Sequence, residues 1–189
     1  MRGKITVVEY DPSWPTTFAT LKSRALAALG AIAVSIEHVG STSVPGLAAK
    51  PIIDIDVIVP STTDVANVIK RLETIGYQHQ GNLGIDGREA FHSPPNLPEH
   101  HLYVCVQGAV ALANHLAVRD YLRRNATAAR AYSALKMRLA QSFPTDIDRY
   151  VDGKTDFLLG VLRECGFTDD ALSGISDANR IDPSPHPVR

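Results

Sequence analysis

The stretch HVGSTSVPGLAAKPIIDIDVIV, residues 38–59, decides the fold of this chain. Its first residues read as the end of a strand, and Gly40-Ser41 begin a tight turn. The run from Ile52 to Val59 is the clearest strand in the sequence, because it is mostly apolar and rich in β-branched residues. The stretch therefore predicts a strand, a turn and a second strand in succession.

Two carboxylates interrupt the second strand at alternate positions. Alternation places Asp54 and Asp56 on the same face, about 7 Å apart at roughly 3.3 Å per residue. Like charges in apolar surroundings repel each other and lose solvation, and a divalent cation resolves both problems. Mg²⁺ favours carboxylates together with phosphate oxygens, so the strand predicts a magnesium site. The alternative is that this face opens to water and both aspartates are solvated.

The turn before this strand has the composition of a phosphate-binding loop. Gly40 lets backbone N–H groups approach a phosphate closely, and the hydroxyls of Ser41, Thr42 and Ser43 add donors. A short helix after the turn would add anion affinity at its N-terminus, and Lys50 would neutralise a phosphate. The alternative is an ordinary serine-rich turn whose hydroxyls cap the backbone.

Hydrophobic periodicity outlines the rest of the chain. Helical spacing precedes and follows the two strands, short strands and loops fill residues 77–106, and the spacing is helical from about residue 111. These elements predict an α/β (α+β) fold with a mixed sheet, flanking helices and a helical C-terminal half. The expected organisation is one domain over 1–170, with a sheet-containing core at 1–110 and a helical part at 111–165, and a disordered tail at 171–189.

Composition restricts the partners of this protein. The 189 residues carry a net charge of −1, which gives no long-range attraction to nucleic acid or to an anionic membrane. No apolar run approaches a membrane span, and two separated cysteines fit a reducing compartment. We therefore expect a cytoplasmic protein with a small-molecule or nucleotide ligand, no nucleic acid and no membrane partner.

Four cationic residues further along the chain are candidates for substrate binding. Arg88 flanks a short strand, and its guanidinium suits bidentate contact with a phosphate or carboxylate. Arg119 falls on an apolar helical stripe and needs an inward partner. Lys136 and Lys154 lie beside or on such stripes and would meet substrate anions. The alternatives are a surface salt bridge for Arg88, a structural carboxylate for Arg119 and extended lysines that reach solvent.

The sequence as a whole resembles the GrpB family of nucleotidyltransferase-like, or polymerase-beta-like, proteins. The likeness is carried by HVGSTSVPGLAAKPIID at residues 38–54, and by three downstream segments at 118–123, 132–136 and 150–154. It covers about residues 5–165. The resemblance implies that Gly40 and Ser41 hold a nucleoside triphosphate and that Asp54 and Asp56 hold Mg²⁺.

The same resemblance marks one departure from the wider superfamily. A third carboxylate is expected on a later strand, but the strand at residues 99–106 has none in its interior. It carries His101 instead, which the resemblance implies is either a catalytic base or a third metal ligand beside Asp54 and Asp56. If His101 does neither, the usual chemistry is lost.

Three functions remain open at this stage. The first is magnesium-dependent transfer of a nucleotidyl group from a nucleoside triphosphate to a small acceptor. The second is a non-catalytic module that binds a nucleotide or small anion on the same fold. The third is metal-dependent chemistry on a small anionic metabolite without a nucleotide. The sequence does not settle between catalysis and binding, and it gives no oligomeric state.

Overall fold

The computed structural model describes residues 4–180, which form five strands and six α-helices. In chain order these are α1 (Trp14–Leu29), β1 (Ser35–Val39), β2 (Ile53–Val59), α2 (Thr62–Glu73), β3 (Gln78–Gly81), β4 (Arg88–His92), β5 (His100–Val106), α3 (Val110–Arg124), α4 (Ala126–Ser142), α5 (Ile147–Glu164) and α6 (Asp169–Asn179). Short 3-10 turns follow α1 and β1.

The strands form one mixed sheet in the order β1-β2-β5-β4-β3. β2 and β5 run parallel, and the other neighbours are antiparallel. A parallel pair needs a long connection, and here α2, β3 and β4 supply it. The predicted mixed sheet, with flanking helices and a helical C-terminal half, is confirmed.

The two faces of β2 have different surroundings, as the alternation of its residues predicts. Ile53, Ile55, Val57 and Val59 belong to the main core with residues of α1 and α2. Asp54 and Asp56 face the other way, toward α3, where Ile58 packs against Cys105 and Leu112. The sheet therefore separates an apolar layer from the layer that carries the candidate site.

The segment after α5 corrects one expectation from the sequence. Residues 171–179 were expected to lack structure, but they belong to α6. Thr168 caps this helix by accepting a hydrogen bond from the backbone N–H of Ala171, and Leu172 is buried. Arg180 pairs with Asp152 and Asp156 of α5. The segment is largely polar and buries a single leucine, so no clear apolar stripe indicated this helix. Residues 181–189 lie outside the described range.

No helix within residues 4–180 has both the length and the apolarity that crossing a lipid bilayer requires.

Docking of α6 can be tested at its one buried leucine. We expect Leu172→Ala to lower the free energy of opening α6 by about 2 kcal/mol or more, because the substitution leaves a cavity against α5. Amide hydrogen exchange should show faster exchange in α6 than in α4. Ser173→Ala, at the next and exposed position, is the matched control and should exchange like the wild type. Equal protection of α6 in both variants would contradict this packing.

Candidate active site

The turn after β1 and the acidic strand β2 are in direct contact. Gly40 has φ +67° and ψ −170°, a backbone region that essentially only glycine adopts. A Cβ at this position would lie 2.1 Å from Asp54 Oδ2. The missing side chain therefore lets the Asp54 carboxylate lie against the backbone of the turn.

The hydroxyls of the turn have different surroundings, and two of them match the alternative that they cap the backbone of the turn. Thr42 and Ser43 are buried; Thr42 donates a hydrogen bond to the carbonyl of Ile52, and Ser43 donates to the carbonyl of Gly40. These hydroxyls hold the turn closed. The expected short helix is a single 3-10 turn over Ser41–Ser43, so it gives no helix N-terminus for an anion. Ser41 is the one of these three residues that lines the cavity of the candidate site.

His38 lies beneath the turn and supports it. Its Nε2 atom is 3.0 Å from Thr42 Oγ1, and its ring stacks on Phe18 at 4.6 Å between centroids. Burial lowers the pKa of His38 to about 4, so the imidazole is neutral at pH 7. His38 therefore has a structural role.

Lys136 of α4 is the hydrogen-bond partner of the half-buried Ser41. Its Nζ atom donates to Ser41 Oγ at 2.8 Å, although only 2% of the residue is exposed. Burial lowers the pKa of Lys136 to about 7, and the positive charge of Lys154 adds to this effect. A buried ammonium group whose hydrogen-bond partner is a neutral hydroxyl still lacks a counter-charge.

Two further lysines lie near this buried amine. The pKa of Lys154 falls to about 8, because of burial and then because of the charge of Lys50. Both lysines lie near the Tyr150 ring, with Nζ-to-centroid distances of 4.6 Å for Lys154 and 6.0 Å for Lys50. None of the three lysines forms an ion pair with a residue in 4–180. Together they make a site that favours an anion.

Each aspartate of β2 is paired with a histidine. Asp54 Oδ1 lies 2.8 Å from His101 Nδ1, on the strand position that is in register with Asp54. Asp56 is completely buried, and its Oδ2 atom lies 2.9 Å from His115 Nδ1. Tyr103 is the residue of β5 opposite Asp56. The two carboxylates therefore share a face, as predicted, and neither is merely solvated.

His115 was missed by the sequence analysis. It lies on α3 one turn after Leu112, on the stripe that faces the sheet. Burial disfavours its charged form, but the hydrogen bond to Asp56 and the charge of that carboxylate outweigh burial and raise the pKa of His115. The sequence signal that could have indicated His115 is its position as a histidine on a largely apolar stripe of α3.

The acidic strand can be compared with the needs of a magnesium ion. No group of three or more His, Cys, Asp or Glu side chains in residues 4–180 is arranged to hold a metal ion. The predicted set of Asp54, Asp56 and His101 is therefore not assembled as three ligands around one point. Two carboxylates on one face nevertheless suit a single Mg²⁺ ion that takes its other oxygen ligands from phosphate and water.

The arginines of α3 hold the turn in place. Arg119 donates to Glu37 and to Asp120, both at 2.8 Å. These ion pairs match the alternative that structural carboxylates are the partners of Arg119, and substrate binding by Arg119 stays a prediction. Arg123, which the sequence analysis did not select, donates to the carbonyl of Ser43 at 2.8 Å and 3.1 Å.

Several of the residues described above line one cavity of about 260 Å³. The turn, β2 and β5 form one side of it, and α3 and α5 form the other. Its lining includes Gly40, Ser41, Asp54, Tyr103, His115, Arg119 and Lys154. His101 is half exposed and lines a different cavity, although it contacts Asp54, and Arg88 of β4 lines a third. The structure therefore brings the turn, the acidic strand and the α5 lysine together.

A solved structure with a related architecture identifies the class of fold. The chain superimposes on the Cid1 poly(U) polymerase bound to MgGTP with a TM-score of 0.52. The match covers 71% of this chain and 44% of that one, with 16% identity. At this identity the likeness shows the fold alone. The fold is nucleotidyltransferase-like, as the sequence predicted.

Closer relatives give the family. The model of the family described as GrpB protein matches residues 4–164. The crystal structure of the conserved protein GrpB from Enterococcus faecalis is 37% identical, with a TM-score of 0.76, and the match covers 89% of this chain and 98% of that one. The UPF0157 protein YqkA of Bacillus subtilis is 36% identical over 83% of this chain, which spans 46% of YqkA's length. This chain belongs to the GrpB family.

The contact between the turn and β2 can be tested by adding a methyl group. We expect Gly40→Ala to lower the free energy of unfolding by about 1–3 kcal/mol from backbone strain, and further because the Cβ meets the Asp54 carboxylate. Gly46→Ala is the matched control, since Gly46 has φ +77° but no atom within 4 Å of an added Cβ. Urea unfolding measures both. Equal losses of stability would show that the Asp54 contact contributes nothing.

Burial of Lys136 predicts a particular dependence of stability on pH. Its pKa in the folded state is about 7, below the ordinary value of 10.5, so between these pH values the unfolded chain holds the proton more tightly. Wild-type stability should therefore rise from pH 7 toward pH 10, by up to about 1.4 kcal/mol per pH unit, relative to Lys136→Met. Urea midpoints across this range provide the measurement. Lys70→Met, at an exposed site, is the control and should show the same pH dependence as the wild type. If the stability of Lys136→Met changes with pH in parallel with the wild type, the lowered pKa of Lys136 is refuted.

Proposed function

We propose that this chain binds a nucleoside triphosphate with Mg²⁺ and transfers the nucleotidyl group to a small acceptor. The observation that carries the proposal is the meeting of the Ser41 hydroxyl, the Asp54 carboxylate and Lys154 at one cavity, with Lys136 hydrogen-bonded to Ser41. A phosphate-binding turn, a metal-binding carboxylate and uncompensated amines are the groups that a magnesium–triphosphate complex requires.

The amines provide the triphosphate subsite. Lys50, Lys136 and Lys154 are gathered without a carboxylate partner in the described chain, and burial depresses the pKa of the last two. A bound phosphate would supply the missing negative charge and keep these amines protonated. Ser41 accepts a hydrogen bond from Lys136, so its own proton is available for a phosphate oxygen.

The acidic strand provides the metal subsite. Asp54 and Asp56 would hold one Mg²⁺ ion, which neutralises phosphate charge and helps to orient the reacting groups. His115 Nδ1 lies 2.9 Å and 3.2 Å from the two Asp56 oxygens, so a metal ion at this buried carboxylate would have to share or replace that contact.

His101 is placed to accept a proton. Its Nδ1 atom is held by Asp54, which leaves Nε2 free on a side chain that is 46% exposed. A bond would form between the acceptor's hydroxyl oxygen and the α-phosphorus. The bond from that phosphorus to the bridging oxygen would break, and pyrophosphate would leave with its electron pair. The hydroxyl proton would pass to Nε2 of His101.

A non-catalytic nucleotide-binding role is the second candidate. It is favoured by one observation: β5 presents His101 and Tyr103 opposite the two aspartates, where the wider superfamily carries a third carboxylate. Burial raises the pKa of Tyr103 to about 12, so this phenol offers no negative charge near neutral pH. The two candidates share the ligand and differ only in turnover.

Two substitutions separate binding from catalysis. We expect Asp54→Asn to reduce pyrophosphate release with a panel of hydroxylated metabolites at least a hundredfold, or about 2.7 kcal/mol, because metal and base are both affected. Lys136→Met should weaken nucleotide binding at least tenfold in calorimetry, since it removes a buried cation. Asp177→Asn, at an exposed position of α6, is the control for both assays.

The wild type decides between the two candidates. Magnesium-dependent binding of a nucleoside triphosphate without pyrophosphate release under any acceptor would support the binding module and reject transfer. A wild type that binds none of the four common ribonucleoside triphosphates at millimolar concentration would reject both.

A further inference from the structure

A second cavity, of about 450 Å³, lies next to the candidate active site and is not used by the proposed binding of nucleotide. The loop between β3 and β4, the first turns of α3 and the length of α6 form its walls. Its lining includes Ile85, Arg88, Val110, Asn114, His115 and Ile175. The cavity therefore combines one guanidinium group, one amide and several apolar side chains.

Arg88 is the unusual member of this lining. Its Nε atom is enclosed by protein but has no hydrogen-bond partner, which is the single such side-chain atom identified in residues 4–180. A buried donor without a partner costs about 1–3 kcal/mol, so a ligand that accepts from it is favoured. The guanidinium lies over the Tyr103 ring, 4.5 Å from its centroid. Stacking on the Tyr103 ring fixes the orientation of the guanidinium plane. A guanidinium group suits bidentate binding of a carboxylate or phosphate.

The charges around Arg88 leave it uncompensated. Asp86 and Asp170 also line the cavity, but both are exposed at its rim. Neither forms an ion pair with Arg88 among the described residues, and exposed charges are screened by water. The interior of the cavity therefore presents a positive charge to a small anion, while the rim disfavours an extended polyanion.

The apolar walls define the rest of the ligand. Val110 is 50% exposed although it is a large hydrophobic residue, and Ile85 and Ile175 are half buried beside it. Apolar surface of this kind is stabilised when a ligand covers it. The cavity thus fits a molecule with a short apolar body and one anionic group.

The two cavities adjoin. Asn114, His115 and Asn179 line both of them, and His115 is the side chain that binds Asp56. A ligand held by Arg88 would therefore extend toward the acidic strand, where the proposed transfer takes place.

We propose that this second cavity is the acceptor site, and that the acceptor is a small molecule with a carboxylate or phosphate group bound by Arg88 and a short apolar body. The role as acceptor rests on the proposed nucleotidyl transfer. Anion binding at Arg88 rests only on the cavity and its unpaired guanidinium. The two parts can consequently fail separately.

The test follows the Nε–H resonance of Arg88 by NMR during titration of the wild-type protein. The probes are propionate, methylphosphonate and, as a neutral control, propionamide. We expect a saturable shift of the Arg88 resonance with at least one anion and none with propionamide, and the two anions distinguish carboxylate from phosphate recognition. A resonance that moves with neither anion at tens of millimolar overturns the proposal.

Two variants extend the test. Arg88→Lys keeps the charge but loses the planar fork, so binding of the effective anion, followed at the Asn114 amide, should weaken at least tenfold. Unchanged affinity would reject recognition by the guanidinium. Lys136→Met should lose nucleotide binding and keep the shift of Arg88. If the wild type binds the anion at Arg88 but no nucleotide, the anion site stands and its role as acceptor site is rejected.

Discussion

The contact between the Asp54 carboxylate and the backbone of Gly40 is the constraint on which the candidate site depends. It requires a residue without a side chain, in a backbone conformation that only glycine adopts readily, directly opposite an acidic strand. Internal hydrogen bonds of the turn and two arginines of α3 keep the turn closed around this contact. The phosphate-type turn and the acidic strand thereby form a single rigid unit.

Electrostatics divide the site into two halves. On the sheet, the two carboxylates are hydrogen-bonded to the histidines of β5 and α3. On the helices, the lysines near Ser41 form no ion pair within residues 4–180, and burial lowers the pKa of Lys136 and Lys154 despite the charge of Asp54. Lysines without an ion-pair partner beside two carboxylates are an arrangement that an anionic ligand with its own cation would complete.

Sequence reasoning was most accurate where the signal was local. Alternation in β2 correctly placed both aspartates on one face, because side-chain direction in a strand depends only on position. It left two roles open for Thr42 and Ser43, whose residue types suit a ligand and a closed turn equally well. For Arg119 the sequence showed that an inward arginine needs a partner, but not that Glu37 supplies it.

The amino-acid sequence alone was enough to identify the turn, the acidic strand and the GrpB family, because periodicity and a long local motif encode them, whereas α6 was missed. Only the tertiary structure decided which distant groups complete the site. Lys136 reaches Ser41 across 95 positions, and His115 reaches Asp56 across 59. These contacts depend on how α3 and α4 pack over the sheet, and packing between distant segments leaves no local pattern from which one sequence can predict it.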